Sequence, residues 1–315
     1  MSKRTSIGSW AYTIGPYASN PVDFDTVCTQ LKSLGFDGVE LGAFPPHPNP
    51  GNPSGPDENW PGAMPERSQR EELRAKIQAL GLGISGIAAN LWGEKLINTD
   101  DQSKYVTEFR KNSEFARDLG ILSIRVDTVQ PPTILRDVDY HTAMKRVVDA
   151  WKTCGDIAAG NGQYVVWEFE PGFAFNKATD ILRILDRVGK PNFGLLYDTC
   201  HGQMVGVMGA RQEGAKEVFP SQVEFIRNFD GRILHFHLID SDNTCHKDAA
   251  GNDETSTHPP FGRGVVDFDQ VMPALVQAAR LPHDWWTIDL CFWGNAWEAT
   301  AGCKKKLDKL IVKYG

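Results

Sequence analysis

The sequence lacks several patterns that would assign it to particular classes of protein. None of its six cysteines stands in a CxxC pair, so we expect reduced thiols and no structural zinc site. No apolar run is long enough to span a membrane. The N-terminal residues 1–4 also lack the apolar region of a secretion signal. We therefore expect a cytoplasmic protein with no membrane partner.

Positive charge is also scarce. The chain has 33 Lys and Arg against 40 Asp and Glu, which gives a formal net charge of −7. Proteins that bind nucleic acids cluster cations on one surface, and the single basic run here, 304–306, lies in a helical pattern typical of a solvated face. We expect no nucleic-acid partner.

Short apolar segments alternate with amphipathic segments along the whole chain. Eight short segments, rich in β-branched and aromatic residues, predict buried strands: Ser6–Tyr12, Gly38–Gly42, Gly83–Leu91, Ser123–Asp127, Tyr164–Pro171, Phe193–Asp198, Arg232–Ile239 and Trp285–Leu290. The helical patterns are Val22–Leu34, Ser68–Leu80, Tyr105–Leu119, Tyr140–Ala159, Lys177–Val188, Ser221–Phe229, Asp269–Ala279 and Trp297–Tyr314.

Uninterrupted alternation of strands and helices predicts a parallel sheet. Eight units with a helix after the last strand close most simply into a (β/α)8 TIM barrel, a single domain over residues 1–315. An open doubly wound sheet is the alternative, although no GxGxxG turn follows the first strand. The second helix is predicted to begin with a capping box formed by Ser68 and Glu71.

Two connections are long and rich in Pro, Gly and polar residues, namely 43–67 after the second strand and 240–264 after the seventh. In a barrel these loops rise from the face where the strands end, which is where active sites lie. They are either surface decoration or a lid that excludes water from a site.

Charged side chains inside barrel strands need an explanation, because such strands are otherwise apolar. Side chains alternate along a strand, so Glu168 and Glu170 share one face of the fifth strand, and His235 and His237 share one face of the seventh. Two inward carboxylates near the end of a strand are costly without a cation. This pattern indicates a functional site.

Four such groups come at the ends of the last four strands: Glu168, Asp198, His237 and Asp289. Alone, each is better explained as a salt bridge or a buried histidine, but together they converge at the barrel mouth and suit one divalent ion. An oxygen-rich set of three carboxylates and one imidazole favours Mn²⁺, with Mg²⁺, Co²⁺ or Zn²⁺ as alternatives.

Four segments carry a resemblance to a known family: 167–169, 195–201, 237–240 and 262–268. Over essentially its whole length the chain resembles the xylose isomerase-like TIM barrels. It is most similar to the sugar phosphate isomerase/epimerase group, which includes ketose 3-epimerases and inosose isomerases. The resemblance implies a metal-dependent enzyme that acts on a sugar or polyol.

The resemblance also implies roles for single residues. Glu168, Asp198 and His237 would be metal ligands, and His201 would hydrogen-bond a substrate hydroxyl. Glu40 matches a substrate-side acid of the second strand, or it is a salt-bridged barrel residue.

The chain departs from the family pattern at two positions. Asp289 stands where the family usually has a glutamate that binds metal and moves protons, and Asp is one methylene shorter. Asn243 stands where some ketose epimerases have a substrate-binding arginine.

Three functions fit these observations. The first is an isomerase or epimerase that acts through a metal-stabilised enediolate, with Glu168 as the first candidate base and Glu170 or Asp289 opposite. The second is a lyase that eliminates from a 3-keto-sugar or 3-keto-glycoside, with His201 or His235 as the acid or base. The third is a non-catalytic sugar-binding barrel.

Several further residues have open interpretations. The candidates for substrate contact also include Asn90, Glu170, His235 and Arg263. Arg125 and Asp127 are predicted to form an ion pair within the barrel. A set of loop aromatics forms either a ring-binding cleft or ordinary packing: Trp60, Trp92, Phe173, Phe175, Phe292 and Trp293. Another set has irregular spacing that indicates loop polarity or substrate contact rather than a metal cluster: Cys245, His246 and His258. A homo-oligomer or a small partner subunit is possible.

Overall fold

Eight parallel strands form a barrel in the computed structural model, which describes residues 3–53, 60–248 and 250–315. The barrel strands are β1 (Arg4–Ile7), β2 (Gly38–Gly42), β3 (Gly83–Ala88), β4 (Ser123–Val126), β5 (Tyr164–Glu168), β6 (Phe193–Asp198), β7 (Ile233–Leu238) and β10 (Trp285–Ile288). The strand order is β1-β10-β7-β6-β5-β4-β3-β2, and a single parallel bridge between Gly8 and Glu40 joins the two ends. The predicted (β/α)8 barrel is confirmed.

Helices connect the strands and pack around the barrel. They are α1 (Phe24–Ser33), α2 (Arg67–Ala79), α3 (Ser103–Leu119), α4 (Tyr140–Gly160), α5 (Ala178–Val188), α6 (Thr199–His201), α7 (Gln222–Ile226), α8 (Phe268–Ala278) and α9 (Ala296–Tyr314). Short 3-10 turns cover Ser9–Tyr12, Gly15–Tyr17, Pro132–Arg136 and Arg227–Phe229, and a π-turn, Gly202–Val207, continues α6.

Alternation along the strands sorts side chains between the barrel interior and the helices. On β5, Trp167 points outward and packs against Trp151 of α4, with ring centroids 5.0 Å apart. Its neighbour Val166 points inward and forms a buried apolar layer with Leu196 and Leu234. The same alternation places Glu168 inside the barrel, above that layer.

Several details of the sequence prediction were wrong. The third and fifth strands end at Ala88 and Glu168 rather than at Leu91 and Pro171, and two further differences concern the first strand and the second helix. The first strand ends at Ile7, and the chain then turns into the 3-10 segment Ser9–Tyr12. The second helix starts at Arg67 with a capping box formed by Glu66 and Gln69, so Ser68 already lies in the first turn. Glu71 instead pairs with Arg67 one turn away.

The described parts of both long loops lie at the barrel face where the strands end. The loop 240–264 contains an antiparallel hairpin, β8 (Cys245–Lys247) and β9 (Asp253–Ser256), which the sequence pattern did not predict. In the loop 43–67, residues 54–59 lie outside the described part of the chain. All six cysteines are free, as expected. Among the described helices, none is both long and apolar enough to cross a membrane.

Candidate metal centre

The structure brings the four predicted ligands together at the mouth of the barrel. Glu168 ends β5, Asp198 ends β6, His237 lies in β7, and Asp289 directly follows β10. One ligand atom from each lies within 4.8 Å of those of the other three, and all four residues are buried. The register of β6 and β7 sets Asp198 directly beside His237.

Asp198 gives the clearest sign that a cation belongs here. It caps α6, because its Oδ1 accepts hydrogen bonds from the backbone N–H groups of Cys200 at 2.6 Å and His201 at 2.8 Å. Its Oδ2 is buried and has no hydrogen-bond partner in the described chain. Burial, with repulsion from Asp289 and Glu168, holds the pKa of Asp198 well above its usual range. An ion that binds Oδ2 would remove this penalty.

His237 presents one ring nitrogen to the centre and the other to Glu40. Its Nε2 lies 3.1 Å from Glu40 Oε1, while its Nδ1 lies 2.9 Å from Glu168 Oε1 and 3.5 Å from Asp289 Oδ2. A carboxylate on the far nitrogen is the usual way to orient a metal-binding histidine and to raise its basicity. Nδ1 of His237 would therefore hold the ion.

Glu40 is tied to the barrel interior rather than to the cavity. It also accepts hydrogen bonds from His235 Nε2 at 2.7 Å and Thr287 Oγ1 at 3.0 Å, and it does not line the cavity. Burial opposes its ionisation, but His235 and His237 outweigh this and hold the pKa of Glu40 well below its usual range. Of the two interpretations of Glu40, the geometry favours the paired barrel residue.

Arg125 links three carboxylates on one side of the centre. It lies 3.1 Å from Asp127, as predicted, and it also donates to Glu168 Oε2 at 2.6 Å and Glu170 Oε1 at 3.0 Å. All four residues are buried. Because Arg125 occupies Oε2 of Glu168, the other oxygen, Oε1, faces the metal site.

Asp289 reaches the centre despite its shorter side chain. Its Oδ1 accepts hydrogen bonds from Trp10 Nε1 at 2.9 Å and from the backbone N–H of Cys291 at 2.8 Å. The other oxygen of Asp289, Oδ2, therefore points toward His237. The chain can therefore offer one oxygen from each of Glu168, Asp198 and Asp289 together with Nδ1 of His237, which is a hard, oxygen-rich donor set that fits a divalent ion.

A cavity of about 530 Å³ opens above these residues. Its lining combines ionisable residues with aromatic and small apolar ones: Trp10, Ile14, Phe44, Ala88, Trp92, Arg125, Val129, Glu168, Glu170, Gly172, Phe173, His201, Glu254, Thr255, His258, Asp289, Cys291 and Phe292. A concave site with a few convergent polar groups is the usual form of a small-molecule site.

Glu170 and His201 face each other across this cavity, with Oε2 and Nε2 separated by 3.9 Å. Burial raises the pKa of Glu170 to about 8, and Thr255 Oγ1 donates to its Oε2. Burial lowers the pKa of His201 to about 3, and its Nδ1 lies 2.9 Å from Ser256 Oγ. Burial therefore favours the protonated form of Glu170 next to the neutral form of His201.

Three predicted substrate contacts lie outside the cavity lining. His235 is buried below the centre, between Glu40 and His283, with its Nδ1 2.9 Å from His283 Nε2. Asn90 is partly buried beyond the end of β3, and Arg263 is exposed in the loop after β9. Alternation assigned His235 to the correct face, but it does not give depth along the barrel.

The structure places only some of the six loop aromatics at the predicted ring-binding cleft. Trp92, Phe173 and Phe292 line the cavity, whereas Phe175 is buried in the core. Trp60 and Trp293 are absent from the lining.

Sequence reasoning missed Trp10 and undervalued His258. Trp10 was placed inside the first strand, and no local pattern connects it with Asp289, which is far away in the chain. His258 was treated as loop polarity or a substrate contact, but it is buried in the cavity wall.

A family model described as the xylose isomerase-like TIM barrel matches residues 28–300, so the chain belongs to this family. Comparison with curated proteins gives no match. Among solved structures, an IOLI protein with a bound zinc atom is 17% identical, with a TM-score of 0.69 and 99% of each chain covered. The D-psicose 3-epimerase of Clostridium cellulolyticum H10 is 14% identical, with a TM-score of 0.65 and 98% of each chain covered.

The 3-keto-D-glucoside 4-epimerase YcjR of E. coli is also 14% identical, with a TM-score of 0.62 and 98% of each chain covered. At these identities the similarity establishes a shared fold.

Proposed function

We propose that this protein is a divalent-metal-dependent isomerase or epimerase of a sugar or polyol that carries a carbonyl group. The observation that carries the proposal is the unpartnered, buried Oδ2 of Asp198 among three further ligand atoms, two of which belong to residues that line the cavity, Glu168 and Asp289. The family membership and the epimerases among structures with the same fold support this class of reaction. The oxygen-rich donor set favours Mn²⁺, and the zinc in the IOLI structure keeps Zn²⁺ as an alternative.

A bound divalent ion supplies Lewis acidity to the substrate carbonyl, which makes the neighbouring C–H group acidic. The side chains of the cavity provide the remaining chemistry. Glu168 is ionised, because Arg125 and His237 outweigh its burial and hold its pKa well below the usual range. This carboxylate is the candidate base of the proposal. Neutral His201 can accept a second proton or bind a hydroxyl, and protonated Glu170 can donate one.

Solvent hydrogen exchange tests the proposal directly. Protein loaded with Mn²⁺ or Co²⁺ is incubated in ²H₂O with a panel of ketoses and inososes, and deuterium at the carbon beside the carbonyl is measured by NMR. We expect incorporation that disappears after chelation and falls about 10²–10⁴-fold in Glu168→Gln. Glu71→Gln, an exposed substitution on α2, is the matched control and should exchange like the wild type. No exchange with any compound of the panel would refute the isomerase assignment.

Elimination from a 3-keto-glycoside is the second candidate function, and the hydrogen bonding of Asp289 favours it. Both Trp10 and the Cys291 backbone hold Oδ1 of Asp289. This carboxylate is therefore less free to move protons on the opposite face of a substrate, as an epimerase requires. The aromatic side chains in the cavity wall also suit the ring of an aglycone in addition to the sugar ring. Release of a free aglycone from a 3-keto-glycoside, without isomerised sugar, would select this reaction.

A further inference from the structure

His258 lies beside the metal centre but comes from a different part of the chain than the four predicted ligands. It follows strand β9 of the loop hairpin by two residues, and that loop carries it over the barrel mouth. The side chain is 1% exposed, and its ring nitrogens make no well-formed hydrogen bond among the described residues, apart from an approach to the backbone of Ser256. A buried imidazole with so little hydrogen bonding is costly, so a partner of another kind is indicated.

His258 lies close to Asp198. Nε2 of His258 is 4.0 Å from Asp198 Oδ1, the oxygen that caps α6, and Oδ2 of the same carboxylate has no hydrogen-bond partner among the described residues. A ligand nitrogen of His258 also lies within 4.8 Å of ligand atoms of Asp198 and Cys200. An ion bound to Oδ2 of Asp198 would therefore have the imidazole of His258 beside it.

The four ligands at the strand ends also leave room for a further donor. Arg125 takes one oxygen of Glu168, backbone N–H groups take one of Asp198, and Trp10 takes one of Asp289. Each carboxylate can thus offer a single oxygen, and with His237 this makes four protein donors. Mn²⁺ and similar ions in oxygen-rich sites commonly have six ligands.

We propose that His258 is a fifth protein ligand of the metal centre, supplied by the loop after β7. The inference rests on the metal centre proposed above. A second imidazole would add a donor to a set in which each of the three carboxylates offers a single oxygen. Binding of the metal ion by His258 would also hold the hairpin β8–β9 over the site.

Metal titration tests the ligand role without any substrate. Binding of Co²⁺ to metal-free protein is measured by calorimetry and by the visible absorption of the ion. Pulsed EPR of Cu²⁺-loaded protein, at less than one ion per chain, counts the coordinated imidazoles. We expect two imidazoles in the wild type and one in His258→Ala, with Co²⁺ affinity reduced at least about tenfold.

His246→Ala is the matched control, because His246 lies in β8 of the same hairpin and belongs to no candidate ligand group among the described residues. It should keep two imidazoles and wild-type affinity. His258→Gln keeps a polar side chain of similar reach and gives a second test if the alanine variant does not fold. Amide exchange of the hairpin supplies another readout, since Co²⁺ should slow exchange there in the wild type and not in His258→Gln.

The outcomes separate this inference from the proposed function. If the wild type binds no Co²⁺ at this site, the metal centre itself is wrong. If it binds Co²⁺ but shows one imidazole, or if both His258 variants bind with unchanged affinity, the centre stands and the ligand role of His258 is overturned.

Discussion

Replacement of Arg125 by methionine should destabilise the metal-free protein strongly. The guanidinium is 7% exposed and lies within 3.1 Å of carboxylate oxygens of Asp127, Glu168 and Glu170. Arg125→Met fills a similar volume but leaves three buried carboxyl groups without their cation. Removal of one partner from a buried ion pair costs about 3–5 kcal/mol, and native domains have a free energy of unfolding of only about 5–15 kcal/mol.

Urea unfolding of the metal-free protein, followed by tryptophan fluorescence, measures this loss. The control is Arg67→Met, which makes the same chemical change at an exposed ion pair on α2 and should leave the urea midpoint unchanged. Saturating Co²⁺ should recover part of the loss in Arg125→Met, because the ion neutralises Glu168; an ion at 100 times its dissociation constant stabilises by about 2.7 kcal/mol. A loss below about 1 kcal/mol with an unchanged urea slope would refute the electrostatic reasoning.

Three further outcomes are expected. Glu40→Gln should lower Co²⁺ affinity about 10–100-fold in calorimetry, because the ligand histidine loses its orienting carboxylate; unchanged affinity would contradict this role. Burial raises the pKa of Asp198, and a metal ligand must be deprotonated, so protons compete with the ion for this carboxylate. Affinity should therefore fall as the pH drops, and pH-independent affinity would disprove it. Gly194→Ala places a Cβ 2.6 Å from Leu234 and should lower the free energy of unfolding in urea by about 1–3 kcal/mol. Gly302→Ala, in open space on α9, is the control and should not destabilise the protein. Equal effects of the two substitutions would contradict the close packing at Gly194.

The sequence predicted the barrel and the convergence of the four strand-end side chains because both depend on short-range regularities. Alternation of apolar and amphipathic segments defines the parallel strands, and a repeat of two within a strand decides which side chains share a face. Glu168 and Glu170 are an example, since both contact Arg125. The same rule placed His235 and His237 together, and both contact Glu40.

Depth along the barrel and the partners of each ligand were decided only by the tertiary structure. His235 comes two residues before His237 on β7 and is buried between Glu40 and His283, whereas His237 lies beside Asp198 in the metal centre, although the two residues share a face. The hydrogen bond from Trp10 to Asp289 joins residues 279 positions apart, at the two ends of the chain. The loop after β7 places His258 beside the metal centre, and no periodicity of the sequence predicts this position. Such contacts depend on how distant segments pack in space, and a pattern of near neighbours along the chain contains no information about that packing.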